Sequence, residues 1–162
     1  MDRVSKTEYY LDIAQTVSER STCLRKRYGS IIVKNDVIVA TGYNGSPRGR
    51  KNCTDIGTCQ REKLGIPRGE RYELCRSVHA EANAIISAPR DQMLGSTLYI
   101  CCTDPTDGSV VPGTSSCMMC KRLVLNAGIK TVIIRDAPGS HRRIDTSDWI
   151  ENDDSLSGVF GY

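Results

Sequence analysis

The order of the apolar segments constrains the fold of this chain more than any other feature of its sequence. Residues 5–8 read S-x-x-E, a capping box, and the apolar residues after it recur every three or four positions, so a first amphipathic helix is predicted to end near Arg20. Two β-branched runs follow at residues 31–33 and 37–39, and the Asn-Asp pair at 35–36 predicts a hairpin turn between them. The chain therefore begins with one helix and two antiparallel strands.

Helices and strands alternate after the hairpin. We predict a helix over residues 78–88, a strand over 97–102, a helix over 117–126 and a strand over 131–135. Strands that are joined through helices lie parallel in one sheet. The order therefore predicts an α/β protein, a three-layer α/β/α arrangement with a mixed central sheet.

Three stretches lack a clear period. Residues 46–76 are polar, basic and contain cysteines, and an insertion of that length is usually functional or held in place by a specific interaction. Residues 103–115, with two Pro and two Gly, are predicted to form a loop. Residues 136–162 form a polar extension without a convincing element. We expect one domain over residues 1–162, with its core at about 5–135.

The composition argues against several classes of protein. A net charge of +3 is too small for the strongly basic face of a nucleic-acid-binding protein. No apolar run is long enough to span a membrane and no signal-peptide pattern follows Met1, so we expect a cytoplasmic protein without a membrane partner. Basic residues cluster at 25–27, 48–51 and 142–143, and each cluster is either a solvated surface or a site that binds a phosphate.

The chain contains eight cysteines, which is many for a cytosolic protein. Disulfides are rare in that compartment, so metal binding or catalysis is the favoured explanation. Cys101 and Cys102 are adjacent on a predicted strand and so point to opposite faces. For this pair we expect one buried and one near-surface thiol.

Two short motifs carry the chemistry. His79-Ala80-Glu81 and Cys117-x-x-Cys120 each stand at the start of a predicted helix. One imidazole and two thiolates make three protein ligands and leave the fourth position of a tetrahedral zinc open for water, which Glu81 could reach without ligating the metal. Alone, the cysteine motif also fits a redox pair or half of a structural zinc site. Together the two motifs match the layout of zinc deaminases, and a structural zinc would not need Glu81.

The chain resembles the deoxycytidylate deaminase family of the cytidine deaminase superfamily. The resemblance runs from about residue 8 to 135 and includes the sequences STC, GSIIVK, TGYNGSP, ELCR, HAEANAI, TLY and NAGIK. It implies the three-layer cytidine-deaminase-like fold. It also implies that His79, Cys117 and Cys120 hold a catalytic zinc and that Glu81 transfers protons during hydrolysis of dCMP to dUMP and ammonia, a reaction that feeds thymidylate synthesis.

The resemblance also implies how the substrate is held. Asn44 matches the family asparagine that contacts the sugar, and the backbone around Ala80 and Ser115 would grip the edge of the cytosine. Arg25 and Arg27 follow the first helix closely, so we expect them to bind the monophosphate, with the cluster at 142–143 as the alternative.

Four further cysteines, Cys23, Cys53, Cys59 and Cys75, flank or occupy the long irregular insertion. A second, closed zinc site would explain how the insertion is pinned without a core of its own. The resemblance implies structural ligands at Cys23 and Cys53, and we infer the other two. Reduced thiols without a metal are the alternative, because the spacings are not those of paired C-x-x-C units.

Two departures from the family bear on the substrate. Ser116 stands where the family has Pro before the first Cys, and the 103–115 loop is longer than usual. Deamination of cytidine, of guanine or of a tRNA adenosine is therefore an alternative, and a non-catalytic nucleotide sensor is another. Relatives of this family also form hexamers regulated by dCTP and dTTP with Mg²⁺, so a homo-oligomer with nucleotide effectors is expected by resemblance.

Overall fold

A five-stranded sheet with helices on both faces forms the frame of the chain. The computed structural model describes residues 2–157. The strands are β1 (Arg27–Lys34), β2 (Val37–Tyr43), β3 (Thr97–Thr103), β4 (Thr131–Ala137) and β5 (Ser140–Asp145). The α-helices are α1 (Lys6–Ser18), α2 (Cys53–Ile56), α3 (Gln60–Lys63), α4 (Ala80–Ile86), α5 (Arg90–Met93), α6 (Met118–Ala127) and α7 (Ser147–Glu151), and two 3₁₀ turns cover Tyr72–Leu74 and Asp154–Leu156.

The sheet is mixed, as the order of elements predicts. Its strand order is β2-β1-β3-β4-β5, and β3 and β4 form the one parallel pair. These two strands are connected through α6, because a parallel pair needs a crossover that returns the chain to the same edge. The hairpin of β1 and β2 turns at Asn35 and Asp36, both with positive φ, which is the turn that matches the twist of the strands.

The helices complete three layers. On one face, Tyr10, Leu11 and Ala14 of α1 pack against a cluster that includes Ile31 and Tyr99. On the other face, α4 and α6 pack against Ile32, Ile100 and Val132. The predicted α/β/α fold with a mixed sheet is confirmed.

Two glycines let helices approach the sheet closely. A Cβ on Gly29 would lie 2.1 Å from the carbonyl oxygen of Ala14 in α1. A Cβ on Gly42 would lie 2.3 Å from the carbonyl oxygen of Ala80 and 2.4 Å from the backbone nitrogen of Ala84, both in α4. Neither glycine has the left-handed backbone conformation, so these positions require glycine for space alone. The short distance between β2 and α4 matters for the site, because α4 begins there.

The structure corrects two expectations. Residues 136–162 were expected to lack regular elements, yet β5 and α7 lie there. The strand β5 alternates between exposed and half-buried residues and contains no buried one, so its sequence has no apolar run from which a strand could be predicted. Residues 158–162 of that stretch lie outside the described part. Cys101 and Cys102 do point to opposite faces, but both thiols are fully buried, so the expected near-surface thiol is wrong.

The insertion at residues 46–76 is irregular as predicted, apart from the short helices α2 and α3 and one 3₁₀ turn. Within residues 2–157, no helix combines the length and apolar character that crossing a bilayer requires.

Candidate active site

The first half of the site is built at the start of α4. His79 is the N-cap residue of this helix, and the preceding Val78 forms an isolated antiparallel bridge with Gly45. The Val78 N–H donates to the Gly45 carbonyl at 2.8 Å, which ties the beginning of the helix to the end of β2. Glu81 follows in the first turn and is only 4% exposed. One helix terminus therefore presents both the imidazole and the carboxyl.

The second half is built at the start of α6. Cys117 is the N-cap residue, and its Sγ accepts a hydrogen bond from the Cys120 backbone N–H at 3.4 Å. Both thiols are buried. A helix N-terminus stabilises the thiolate form, which is the form that binds a metal.

The tertiary fold brings the two halves together. His79 Nδ1 lies 3.3 Å from Cys117 Sγ and 3.4 Å from Cys120 Sγ. In the described part of the chain, this is the one group of three or more His, Cys, Asp or Glu side chains whose ligand atoms all lie within 4.8 Å of one another. Tetrahedral zinc bonds to nitrogen and sulfur would place those atoms about 3.6 Å apart. The three residues fit a zinc ion.

The electrostatics of the three ligands agree with this geometry. Hydrogen bonds from Cys120 and His79 lower the pKa of Cys117 to about 4, so this residue is a thiolate at neutral pH. Burial alone would lower the pKa of His79, but its hydrogen bonds with Cys117 and Cys75 raise the pKa to about 10. Cys117 and His79 therefore stabilise each other's charged forms, and the imidazole must be neutral to bind a metal.

Glu81 is set apart from the three ligands by its environment. Burial raises the pKa of its carboxyl, and the positive charge on His79 and the hydroxyl of Ser116 oppose that rise. Ser116 is fully buried, and its hydroxyl lies near enough to the Glu81 carboxyl to act on its pKa. The residue that replaces the expected Pro thus places a polar group near the carboxyl.

A cavity of about 220 Å³ opens onto this site. Its lining includes His79, Glu81 and Cys117, together with Tyr28 from β1 and Tyr72 from the insertion. The Tyr72 ring meets the His79 ring edge-on, with 5.6 Å between the ring centroids. His79, Cys117 and the Glu81 carboxyl therefore share one cavity with aromatic side chains.

Comparison with known proteins identifies the family. The profile of the "cytidine and deoxycytidylate deaminase zinc-binding region" matches residues 4–135. The chain belongs to this family.

Three relatives illustrate the extent of the similarity. The deoxycytidylate deaminase of Mycobacterium phage D29 is 34% identical over 138 residues, which cover 82% of this chain and 96% of the phage protein. The deoxycytidylate deaminase of Schizosaccharomyces pombe is 32% identical over 131 residues, which cover 81% of this chain but 37% of the yeast protein. The chain thus spans nearly all of one relative and well under half of the other.

The third relative is a solved structure, the dCMP deaminase from cyanophage S-TIM5 in apo form. It is 28% identical, with a TM-score of 0.59, and the match covers 93% of this chain and 94% of the phage chain. The structure of that enzyme in complex with dCMP and dUMP gives a TM-score of 0.55 at 26% identity and covers 100% of this chain and 98% of the phage chain.

The other residues that we expected to bind the substrate differ in whether their side chains are already bonded to other parts of the protein. Ala80, Ser115 and Asn44 line the cavity of this deaminase-family chain. The Asn44 side chain is also engaged in the protein, because its Oδ1 accepts hydrogen bonds from Ser21 Oγ at 2.5 Å and from the Tyr28 N–H at 2.8 Å. Asn44 therefore orders the segment that leads into β1, and its role toward a sugar stays a prediction.

The two arginines that we expected to bind a phosphate do not share one position. Arg25 lines the cavity, and its Nε lies 3.1 Å from Glu62 Oε1. Arg27 begins β1 and is not among the cavity-lining residues. In the alternative cluster, Arg142 pairs with Asp136 at 2.7 Å and also donates to the Thr114 carbonyl, so it braces the loop before Ser115.

The four remaining cysteines surround the same region. Cys23, Cys59 and Cys75 line the cavity, and Cys53 is buried at the start of α2. Burial raises the pKa of Cys53, and nearby Cys23 and Cys75 add to that rise. Within residues 2–157, these thiols do not form a group as tight as that of His79, Cys117 and Cys120.

Three cavity-lining cations were not singled out from the sequence: Lys26, Arg61 and Arg68. Lys26 lies inside a basic cluster that the sequence does reveal. Arg61 and Arg68 belong to the insertion, which has no periodic pattern from which the direction of a side chain could be inferred. Their presence in the cavity depends on contacts between distant parts of the chain.

Proposed function

We propose that this chain catalyses the hydrolytic deamination of dCMP to dUMP, with release of ammonia. One observation supports the proposal above all. His79, Cys117 and Cys120 could together hold a metal ion, and the buried Glu81 carboxyl lies beside them in a cavity lined by cationic and aromatic side chains. The naming of the relatives as deoxycytidylate deaminases supports dCMP as the substrate.

The residues of the chain divide the work. His79, Cys117 and Cys120 would hold zinc and leave one position open. Zinc bound there supplies a Lewis acid that lowers the pKa of water to near neutrality. The Glu81 carboxylate would accept one proton of the attacking water and deliver it to N3 while the water oxygen adds to C4 of the cytosine. It would then carry the remaining hydroxyl proton to the amino group, which leaves as ammonia as the C4 carbonyl forms. Burial raises the pKa of this carboxyl, which strengthens it as a proton acceptor in the first of these transfers.

The cavity would orient the base and exclude bulk water. The backbone at Ala80 and Ser115 can donate to and accept from the polar edge of the cytosine, since both residues line the cavity next to Glu81. Orientation of this kind accounts for a large part of the rate in reactions of two bound groups.

The test is ammonia release from a panel of dCMP, deoxycytidine, CMP, cytidine, guanine and an adenosine-containing tRNA fragment. We expect dCMP to have the highest kcat/KM. A higher kcat/KM for a free nucleoside, for guanine or for the RNA would contradict dCMP as the substrate. The panel is repeated with dCTP and with dTTP in the presence of Mg²⁺, because regulation by these nucleotides in a homo-oligomer is the finer part of the proposal.

Glu81→Gln separates chemistry from metal binding. The amide keeps the shape of the side chain but cannot accept a proton, so kcat should fall by about 10²–10⁴-fold or more. Zinc content after dialysis should stay at the wild-type level, while the matched variant Cys117→Ala should lose zinc and activity together. Near-normal turnover by Glu81→Gln contradicts its role, and loss of zinc from this variant makes Glu81 a ligand.

The same metal analysis addresses the second zinc. A structural zinc held by Cys23, Cys53, Cys59 and Cys75 remains a proposal, supported by the mutual influence of Cys23, Cys53 and Cys75 beside the insertion. A ratio of two zinc ions per chain, reduced to one in Cys53→Ala, is the expected result. A ratio of one in the wild type favours free thiols.

A further inference from the structure

The loop segment that leads into Cys117 has no regular structure of its own. Residues 113–116 belong to no helix or strand, and Gly113 has a positive φ of 71°. The proposed reaction nevertheless depends on this segment, because Ser115 lines the cavity and Cys117 is a proposed metal ligand. The conformation of the segment must therefore be fixed by contacts with other parts of the chain.

An ion pair on the hairpin of β4 and β5 makes such contacts. Arg142 Nε lies 2.7 Å from Asp136 Oδ2. Asp136 Oδ1 accepts a hydrogen bond from the Gly113 N–H at 2.9 Å, and Arg142 Nη2 donates to the Thr114 carbonyl. Two consecutive residues of the loop are thus bonded to two side chains that are also bonded to each other. Asp136 and Arg142 together form what we call the loop clamp.

A β-bulge lies at the acidic member of the loop clamp. The register between β4 and β5 shifts by one residue between Arg135 and Ala137, so Asp136 is the extra residue of the bulge. A bulge changes the direction of the side chain that it carries, and bulges are frequent beside active sites. The irregularity of the hairpin therefore coincides with the residue that accepts the hydrogen bond from Gly113.

The basic member, Arg142, and its neighbour Arg143 lie on opposite faces of the sheet. Arg142 is paired across the strands with Ile134, which belongs to the core cluster packed against α4 and α6. Arg143 is paired with Ile133, which belongs to the cluster packed against α1. Directly opposed residues of two antiparallel strands project to the same face. Arg142 therefore reaches the face on which the candidate site lies, whereas Arg143 does not and can serve as a matched control.

The loop clamp is charged and rigid at neutral pH. Burial would raise the pKa of Asp136, but the hydrogen bonds from Arg142 and from the Gly113 N–H outweigh this effect and lower the pKa. Arg142 bonds the carboxylate through Nε and the carbonyl through Nη2, and a lysine cannot reproduce this geometry because it has a single nitrogen. The loop is therefore held in one conformation before a substrate arrives, so less loop entropy is lost on binding.

We propose that Asp136 and Arg142 are positioning residues for the deamination, and that they hold the loop so that Ser115 meets the base and Cys117 meets the metal. The inference rests on the proposed function for the identity of the reaction. Neither member of the loop clamp is among the residues that line the cavity, so both act through the loop. A shift of the loop would move a base contact and a metal ligand together, and a misplacement of about 1 Å lowers the rate by about 10²-fold.

The experiment uses the zinc-loaded full chain and compares Asp136→Ala and Arg142→Gln with the control Arg143→Gln. We expect each clamp variant to lower kcat/KM for dCMP by about 10-fold or more, because each removes hydrogen bonds that involve a charged group. Two milder variants follow: Asp136→Asn keeps an oxygen for the Gly113 N–H, and Arg142→Lys keeps the charge, so both should lose less. Arg143→Gln should match the wild type, and a loss in this control as large as that in Arg142→Gln contradicts the inference.

The rate of zinc release to a chelator, measured without substrate, is a second readout that a merely structural role would not change. Asp136→Ala and Arg142→Gln should release zinc faster than the wild type. The double variant should release it no faster than the worse single variant, because both residues hold the same loop, and additive effects contradict this. If the variants lower only the melting temperature, while kcat/KM per folded molecule and zinc release stay at the wild-type values, the inference is wrong.

The two readouts also separate this inference from the proposed function. If the wild type holds zinc but deaminates no compound of the panel, the proposed function fails and the release rates decide alone. Faster release from the clamp variants then supports the positioning of Cys117, and release at the wild-type rate rejects it.

Discussion

The substitution Gly42→Ala tests whether the spacing between β2 and α4 sets the geometry of the site. The added Cβ would lie 2.3 Å from Ala80 O and 2.4 Å from Ala84 N, and both atoms belong to the backbone of α4. Ordinary contacts for a Cβ begin near 3.4 Å, so the helix must move away from the strand by about 1 Å. Because α4 carries Glu81 in its first turn and begins after His79, the carboxyl and one proposed metal ligand move with it.

The expected losses of activity and of stability follow from that displacement. A misplacement of about 1 Å in an active site lowers the rate by about 10²-fold. Overpacking of this kind lowers the free energy of unfolding by about 1–3 kcal/mol or more. We therefore expect Gly42→Ala to lose both stability and kcat/KM for dCMP, measured at a temperature at which circular dichroism shows the variant to be folded.

Gly29→Ala is the matched control on the opposite face of the sheet. Its Cβ would meet Ala14 O at 2.1 Å and Ser18 N at 2.4 Å, a clash of similar size, but the displaced helix is α1, which carries none of the proposed catalytic residues. It should lower the melting temperature to a comparable extent while the folded protein keeps more of its kcat. Equal loss of kcat per folded molecule in both variants would refute the idea that the α4 position is set through Gly42.

Two further predictions concern ionisable groups outside the catalytic centre. Hydrogen bonds from Lys6 and Tyr10 lower the pKa of Asp36, so their stabilising effect is present above the unfolded pKa of this carboxyl and is lost as the pH falls through the lower folded pKa. Asp36→Asn should therefore lower the melting temperature at pH 7, and the difference from wild type should shrink on acidification; a pH-independent difference contradicts this. Burial raises the pKa of Cys101 to about 11 and that of Cys102 to about 12, so neither thiol should react with iodoacetamide at pH 8 until the protein unfolds, as mass spectrometry of the labelled peptides would show.

The sequence by itself determined the helix caps and the hairpin turn, because each of these features depends on residues that are close together in the chain. Ser5 caps α1 by accepting from the Glu8 N–H at 3.1 Å, as the S-x-x-E pattern predicts. Asn35 and Asp36 form the turn because both accept a positive φ. His79 and Cys117 are the N-cap residues of α4 and α6, and their spacing to Glu81 and Cys120 is set by one helical turn or less. The proposed ligand set was therefore predictable as two separate motifs.

The tertiary structure alone decided which distant groups meet. The distances of 3.3 and 3.4 Å between His79 and the two cysteines depend on the packing of α4 and α6 on one face of the sheet. The burial of Cys102 depends on the neighbouring layers and not on the alternation of side chains along β3. Lys26 and Arg68 line one cavity although more than forty residues separate them in the chain. Backbone periodicity carries no information about such contacts, since each of them is made only when distant segments of the chain pack together.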